Sequence, residues 1–320
     1  MDARRMTEGE VPGLILARDA RLVGSDLRAL APETLQRVRR GVYVARAEWG
    51  QAKREARHRV LIEAVAETRR ARPIFSHVSA AILWGIPIVG PHLNVVHVIA
   101  AGRTVARSKN GVIWHHEALA DDGIVEIDAH LVTGFIRTLV DLGRTLPFAS
   151  AVAAMDYGCR GGVRSAGRPQ QPDGVLGELQ ESLDALRGRP GVRGARAAIE
   201  FADPRSESPG ESISRANMHL LHSPPPQLQV AFDRPDGGRD VTDFDWPEYG
   251  VFGEFDGRGK YLKEEFTRGR SIQEIVMLEK ERENRIRKHR PFGARWDWPI
   301  AMNPRLLRSE LLQAGLCPVR

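Results

Sequence analysis

The sequence predicts an α+β protein of several domains. Three observations carry this: the hydrophobic period changes between helical and alternating stretches, turn-forming residues gather between Gly158 and Pro209, and surplus positive charge is confined to one C-terminal window. A chain of 320 residues, 42% hydrophobic and 28% charged, has material for two or three cores. Boundaries are predicted at 1–52, 53–160, 161–205 and 206–320, the third segment being a linker that holds one or two helices. No repeat of fixed period is visible, which argues against a solenoid.

Composition excludes several classes. Two cysteines, Cys159 and Cys317, cannot build a disulfide framework or a four-cysteine zinc site. No run of eighteen apolar residues occurs, and Met1 to Val11 is polar rather than a basic segment followed by an apolar one. The expected location is the cytoplasm, with no membrane partner. Between Arg258 and Arg295 lie twelve Lys/Arg and six Glu, whereas the rest of the chain balances at thirty-five of each sign. Such a window suits a polyanion, because every phosphate neutralised releases counterions. The alternative is a solvated helix face.

The first segment reads as a small helical unit ending in a hairpin. Ser25 can cap a short helix through Asp26, Leu27, Arg28 and Leu30. Residues Leu35 to Val44 then alternate apolar and polar about a turn at Arg40-Gly41. Arg37, Arg39 and Arg40 lie at the tip of this wing, where forked donors suit phosphate or minor-groove contact. A hairpin that is basic and merely exposed is the alternative.

The second segment mixes helices and strands. Lys53 to Thr68 carries helical spacing, and Ser76 caps a helix through Ala80, Ala81, Leu83 and Trp84 that Gly85 and Pro87 end. Strands follow at Leu93–Ile99, Val112–His115 and Ile124–Ile127, then helices at Phe135–Gly143 and Phe148–Tyr157 divided by Pro147. His77, His97, His115 and His116 lack an i,i+4 histidine partner or a carboxylate at ligand spacing, and read as structural.

Three stretches here resemble the AbiEi-type antitoxins and their relatives: Leu35-Gln36-Arg37-Val38-Arg39-Arg40-Gly41-Val42-Tyr43, Ser76-His77-Val78-Ser79-Ala80-Ala81-Ile82-Leu83-Trp84-Gly85-Ile86-Pro87, and Arg137-Thr138-Leu139-Val140-Asp141-Leu142. The resemblance covers residues 13–160. It implies an N-terminal winged helix that binds DNA, a middle domain, a role as transcriptional regulator, and a cognate toxin protein as partner. The helices before the wing are shorter and more weakly patterned than in the family.

The third part carries the chemistry. Ser208-Pro209-Gly210-Glu211-Ser212 opens a helix running towards His222, on which Glu211 and Arg215 point the same way. Strands follow at Leu228–Phe232, Val241–Trp246 and Tyr249–Phe255, the first two joined by Pro235-Asp236-Gly237-Gly238. Glu254 and Asp256 share a face by alternation, with Asp243 on the preceding strand and Lys260 just beyond. Acids on a half-buried strand need a positive partner, and a hard divalent cation suits oxygen ligands. Asp243, Glu254 and Asp256 are therefore candidate ligands of Mg2+, or of Mn2+ in its place. Glu211 and Lys260 join them as candidate catalytic residues, the lysine steadying water or developing charge.

Ser208 to Ser212 with Arg215, Gln229, Asp243-Phe244, Glu254-Phe255-Asp256-Gly257, Lys260-Tyr261, the charged helix Glu279–Arg290 and the strand Ala294–Trp298 resemble the PD-(D/E)XK restriction-endonuclease-like fold, in particular its very-short-patch-repair-type relatives. The resemblance spans residues 206–315 and implies an α/β core in which Asp243 and Glu254 bind metal and Glu211 is the helix carboxylate. Asp256 stands where the motif usually has lysine.

Duller readings remain for each residue: Glu211 can complete a capping box with Ser208, and Asp256-Gly257 is a common turn. Arg215, Arg282, Arg285 and Arg295 are the expected phosphate contacts of this part. Three functions stay open: a DNA-binding regulator or antitoxin, a Mg2+-dependent DNA endonuclease targeted by the winged helix, and a toxin-neutralising interaction module.

Overall fold

The computed structural model describes residues 11–22, 31–90, 92–100, 108–117, 119, 123–161, 172–257 and 272–319. They form a mixed α+β protein with three sheets. The chain divides into two compact units, Met1–Leu146 with Gly161–Ile199, and Pro147–Arg160 with Glu200–Arg320.

The first unit begins with β1 (Ile15–Leu16), α1 (Ala17–Leu22), α2 (Ala31–Thr34), β2 (Leu35–Arg39), β3 (Val42–Ala45) and α3 (Arg46–Gln51). Its antiparallel sheet has the order β1-β3-β2. The alternation in β3 buries Val42 and Val44 completely, while Gly41, at φ +78°, takes the left-handed turn position that a side chain would strain. The helix expected from Ser25 through Leu30 lies outside the described residues.

Next come α4 (Arg54–Glu67), β4 (Ile74–Phe75), α5 (His77–Trp84), β5 (Val96–Ile99), β6 (Val112–His115), β7 (Ile124–Ile127), β8 (His130–Thr133) and α6 (Phe135–Thr145). These strands make a mixed sheet of order β6-β5-β4-β8-β7. The strand expected from Leu93 starts at Val96, because Leu93 is buried in a turn with its carbonyl bonded to His58 Nδ1 at 3.0 Å. After α7 (Phe148–Cys159), which packs in the second unit, the segment between the better-patterned regions supplies α8 (Pro172–Asp184) and α9 (Val192–Phe201).

The second unit is built from α7, α10 (Pro209–Leu220), β9 (Gln227–Asp233), β10 (Arg239–Trp246), β11 (Val251–Phe255), α11 (Ile272–Arg287), β12 (Phe292–Trp296), α12 (Trp298–Ala301) and α13 (Pro304–Gln313). The sequence placed Phe148–Tyr157 with the middle segment; α7 instead packs on α10 and buries Val152, Ala153, Met155 and Asp156. Strand order is β12-β11-β10-β9, antiparallel from β9 to β11 and parallel between β11 and β12. The parallel pair needs a crossover, and α11 lies on that connection.

The main core joins Met218, Leu228, Phe244, Trp246, Trp296 and Leu307. Both buried indoles are satisfied, Trp246 Nε1 donating to Pro224 O and Trp296 Nε1 to Ser214 Oγ, each at 2.8 Å. Phe232, Phe252 and Ile286 form a second cluster, in which α11 meets the sheet. At Gly253 a Cβ would lie 2.8 Å from the Trp246 ring and 2.9 Å from that of Trp296. Gly253→Ala is therefore expected to destabilise this unit by about 1–3 kcal/mol through overpacking, measured by urea denaturation. Among the described residues no helix is long and apolar enough to cross a membrane.

Candidate functional site

The N-terminus of α10 fixes the first carboxylate. Ser208 Oγ accepts from Glu211 N at 3.2 Å and donates to Glu211 Oε1 at 2.7 Å. Glu211 Oε2 accepts from Glu207 N at 2.8 Å and from Gln229 Nε2 at 3.0 Å. Capping and a place in the carboxylate site thus coexist in one side chain.

Gln229 connects two acids. The same Nε2 lies 3.4 Å from Asp243 Oδ1, while Asp243 Oδ2 accepts from Phe255 N at 2.8 Å. Gln229 has φ +52°, a left-handed conformation that is strained for a residue with a side chain, between the paired rungs Thr242–Val230 and Phe244–Leu228 of the β9–β10 ladder. Burial pushes the Glu211 carboxyl up to about 7, and the neighbouring Asp243 charge adds to the rise.

Glu254 has different company. The pairing of Phe244 with Gly253 brings Asp243 and Glu254 to the next rung of the ladder, and β12 sets Arg295 opposite Glu254. Arg282 holds one Glu254 oxygen, and Arg295 Nη2 lies 2.7 Å from the other. Glu279 completes the group, 3.0 Å from Arg282 and 2.7 Å from Arg295. Burial raises the Glu254 carboxyl above its ordinary range, against the pull of Arg282. Asp256 Oδ2 lies 3.9 Å from Arg295 Nη1. Lys260 lies outside the described residues.

The expected ligand set is thus divided: Asp243 shares Gln229 with Glu211, whereas Glu254 and Asp256 face arginines. As arranged, Asp243, Glu254 and Asp256 do not fit Mg2+, since a cation at Glu254 would meet two fixed guanidinium groups.

The arginines expected at phosphate are largely engaged within the protein. Arg215 is buried, with Nη2 3.0 Å from both Asp156 oxygens, Nη1 2.8 Å from Phe201 O, and its guanidinium 4.2 Å from the Phe201 ring centre. Arg285 binds Asp240 at 2.7 Å, as Arg290 binds Asp245. In the hairpin Arg37 and Arg40 are exposed, whereas Arg39 donates to Thr68 Oγ1 at 2.9 Å and to Asn110 O at 3.0 Å.

One cluster has no local signal in the sequence. His77, His97 and His115 come from α5, β5 and β6, yet one ring nitrogen of each lies within 4.8 Å of the others. Their separation along the chain hides this; only pairing of β5 with β6 reveals it.

The second unit is thus a mixed four-stranded sheet with helices, bearing an acid pair and an arginine-held glutamate. No family model matches the chain. It is similar to the uncharacterized proteins MT2308 and Rv2248 of Mycobacterium tuberculosis, strains CDC 1551 / Oshkosh and ATCC 25618 / H37Rv. Each is 27% identical over 203 residues, 62% of this chain and 69% of the relative.

Proposed function

We propose that the protein is a DNA-binding regulator of the AbiEi-type antitoxin kind, whose C-terminal unit uses a restriction-endonuclease-like framework for binding rather than cleavage. The observation that carries this is the arginine clasp on Glu254: both oxygens of the carboxylate that the resemblance makes a metal ligand are already neutralised. The order helix, three antiparallel strands, helix, parallel strand supports the nuclease-like framework, with Glu211 on the helix, Asp243 on the second strand and Glu254 on the third. In the N-terminal unit, the order strand, helices, hairpin and the exposed Arg37 and Arg40 support a winged helix with a basic wing. An antitoxin role adds a cognate toxin protein as partner, to be sought by copurification.

Replacing Arg37, Arg39 and Arg40 together by alanine is expected to weaken DNA binding and flatten its dependence on salt, by about one unit of log–log slope for each phosphate no longer neutralised. Gel shifts across ionic strength measure both; unchanged affinity and slope would remove the wing from the DNA-binding role. Plasmid incubated with Mg2+, Mn2+ or chelator is expected to stay supercoiled. The Glu211–Gln229–Asp243 cluster favours a second reading, a Mg2+-dependent endonuclease, and metal-dependent nicking lost in Asp243→Ala would replace the first reading with it.

A further inference from the structure

The three histidines of the first unit sit in surroundings that stacking alone does not explain. His77 opens α5 at φ +50°, a strained conformation for a non-glycine residue. Its ring lies over that of His115 with centroids 3.6 Å apart, and His97 Nδ1 is 2.9 Å from His115 Nε2. Parallel pairing of β5 and β6 turns His97 and His115 to the same side, two residues apart in register. Burial holds His97 down at about 3 and His115 at about 4, and His77 well below its ordinary value.

A second observation points to a ligand. Asp141 is fully buried; its Oδ1 accepts from Arg137 at 2.9 Å and Arg144 at 3.3 Å, but its Oδ2 has no hydrogen-bond partner and lies 3.9 Å from His77 Nδ1. A buried carboxylate oxygen left unpaired is costly. Carboxylates directed at the outer nitrogen of a histidine are how zinc sites orient their ligands.

We infer that His77, His97 and His115 form a binding site for one divalent transition cation of the zinc class, with Asp141 as the positioning residue behind His77. Three imidazole nitrogens suit zinc or cobalt and not magnesium or calcium, which require oxygen donors. Zn–N bonds of about 2.0–2.1 Å in a tetrahedron separate ligand nitrogens by about 3.3 Å. The His97–His115 pair has only to open by a few tenths of an ångström, while His77 turns off the face of His115 towards the cation. In that turn His77 Nδ1, which here lies 3.0 Å from Ser76 Oγ, exchanges this partner for Asp141 Oδ2 and leaves the fourth metal position for water or an external ligand.

The test uses the full-length chain stripped with chelator. Calorimetric titration is expected to show one Zn2+ per chain and no uptake of Mg2+, and Co2+ is expected to give visible d–d bands of a tetrahedral site. His97→Ala and His115→Ala, checked for fold by circular dichroism, should abolish both signals. Asp141→Asn should weaken zinc about 10- to 100-fold while keeping the Co2+ bands. Side-chain nitrogen NMR of wild type needs no variant: Zn2+ should shift the signals of three histidines together. No stoichiometric zinc uptake, unshifted histidine signals, or full binding by folded His97→Ala and His115→Ala would each overturn the site.

Discussion

Arg215→Ala is expected to destabilise the second unit by about 3–5 kcal/mol, the usual consequence of deleting one partner of a buried pair. Asp156 is 1% exposed and Arg215 8%. Removing the guanidinium leaves a carboxylate on α7 in the interior, its remaining bonds being unable to match a charged donor that reaches both oxygens. The Phe201 carbonyl loses its donor and the Phe201 ring loses a cation lying 4.2 Å from its centre. Arg215→Lys recovers only part of this, because a single ammonium cannot serve both Asp156 oxygens and Phe201 O. Asp156→Asn in the Arg215→Ala background removes the stranded charge, so the double variant should be more stable than Arg215→Ala alone. Hydrogen exchange of α7 and α10 amides measures the loss within this unit, independently of the other. A change under about 1 kcal/mol would mean that the pair is not desolvated. If Arg215 instead served as a phosphate contact, its replacement would lower the salt slope of DNA binding without a comparable loss of stability.

This pair illustrates which features were legible in the sequence. Local signals carried well: the hairpin about Gly41, the end of α5 at Gly85, the Ser208–Glu211 spacing and the order of β9, β10 and β11 follow from turn chemistry and period. What the sequence concealed depends on partners remote along the chain. The sequence reading assigned Arg215, Arg282, Arg285 and Arg295 to phosphate, yet Asp156, Glu254, Asp240 and Glu279 already receive them. Strand β4, of two residues, is too short for a period to register, although it pairs with both β5 and β8. The left-handed Gln229 is likewise invisible in a stretch that otherwise alternates as a strand. Its backbone departs from the ladder where its amide reaches two acids.

That acid pair makes stability depend on pH in an uncommon direction. The Glu211 carboxyl has its pKa raised to about 7 in the folded chain, above the ordinary 4.5. The folded state therefore holds the proton more tightly than the unfolded state. Its contribution is fully present below about pH 4.5 and is lost as pH rises through about 7, opposite to the usual salt-bridged acid. Glu211→Gln preserves acceptor and donor groups for Glu207 N and Ser208 Oγ but carries no charge. It is expected to be more stable than wild type at pH 8, by roughly 1–3 kcal/mol, and to lack the wild-type decline between pH 4.5 and 7. Asp243→Asn should lessen that decline by removing the neighbouring negative charge, leaving the part due to burial. Urea denaturation from pH 4 to pH 8 measures all three proteins, and a carboxyl NMR titration locates Glu211 directly. A wild type whose stability rises across this window in step with Glu211→Gln would place the carboxyl in its ordinary range. The regulator reading adds one expectation: with Glu254 clasped by Arg282 and Arg295, Mg2+ should leave the melting temperature unchanged at pH 8. A rise confined to proteins with Glu211 and Asp243 intact would show that the pair recruits the cation, since metal binding to the folded state alone stabilises it in proportion to occupancy. The endonuclease reading would then become the stronger.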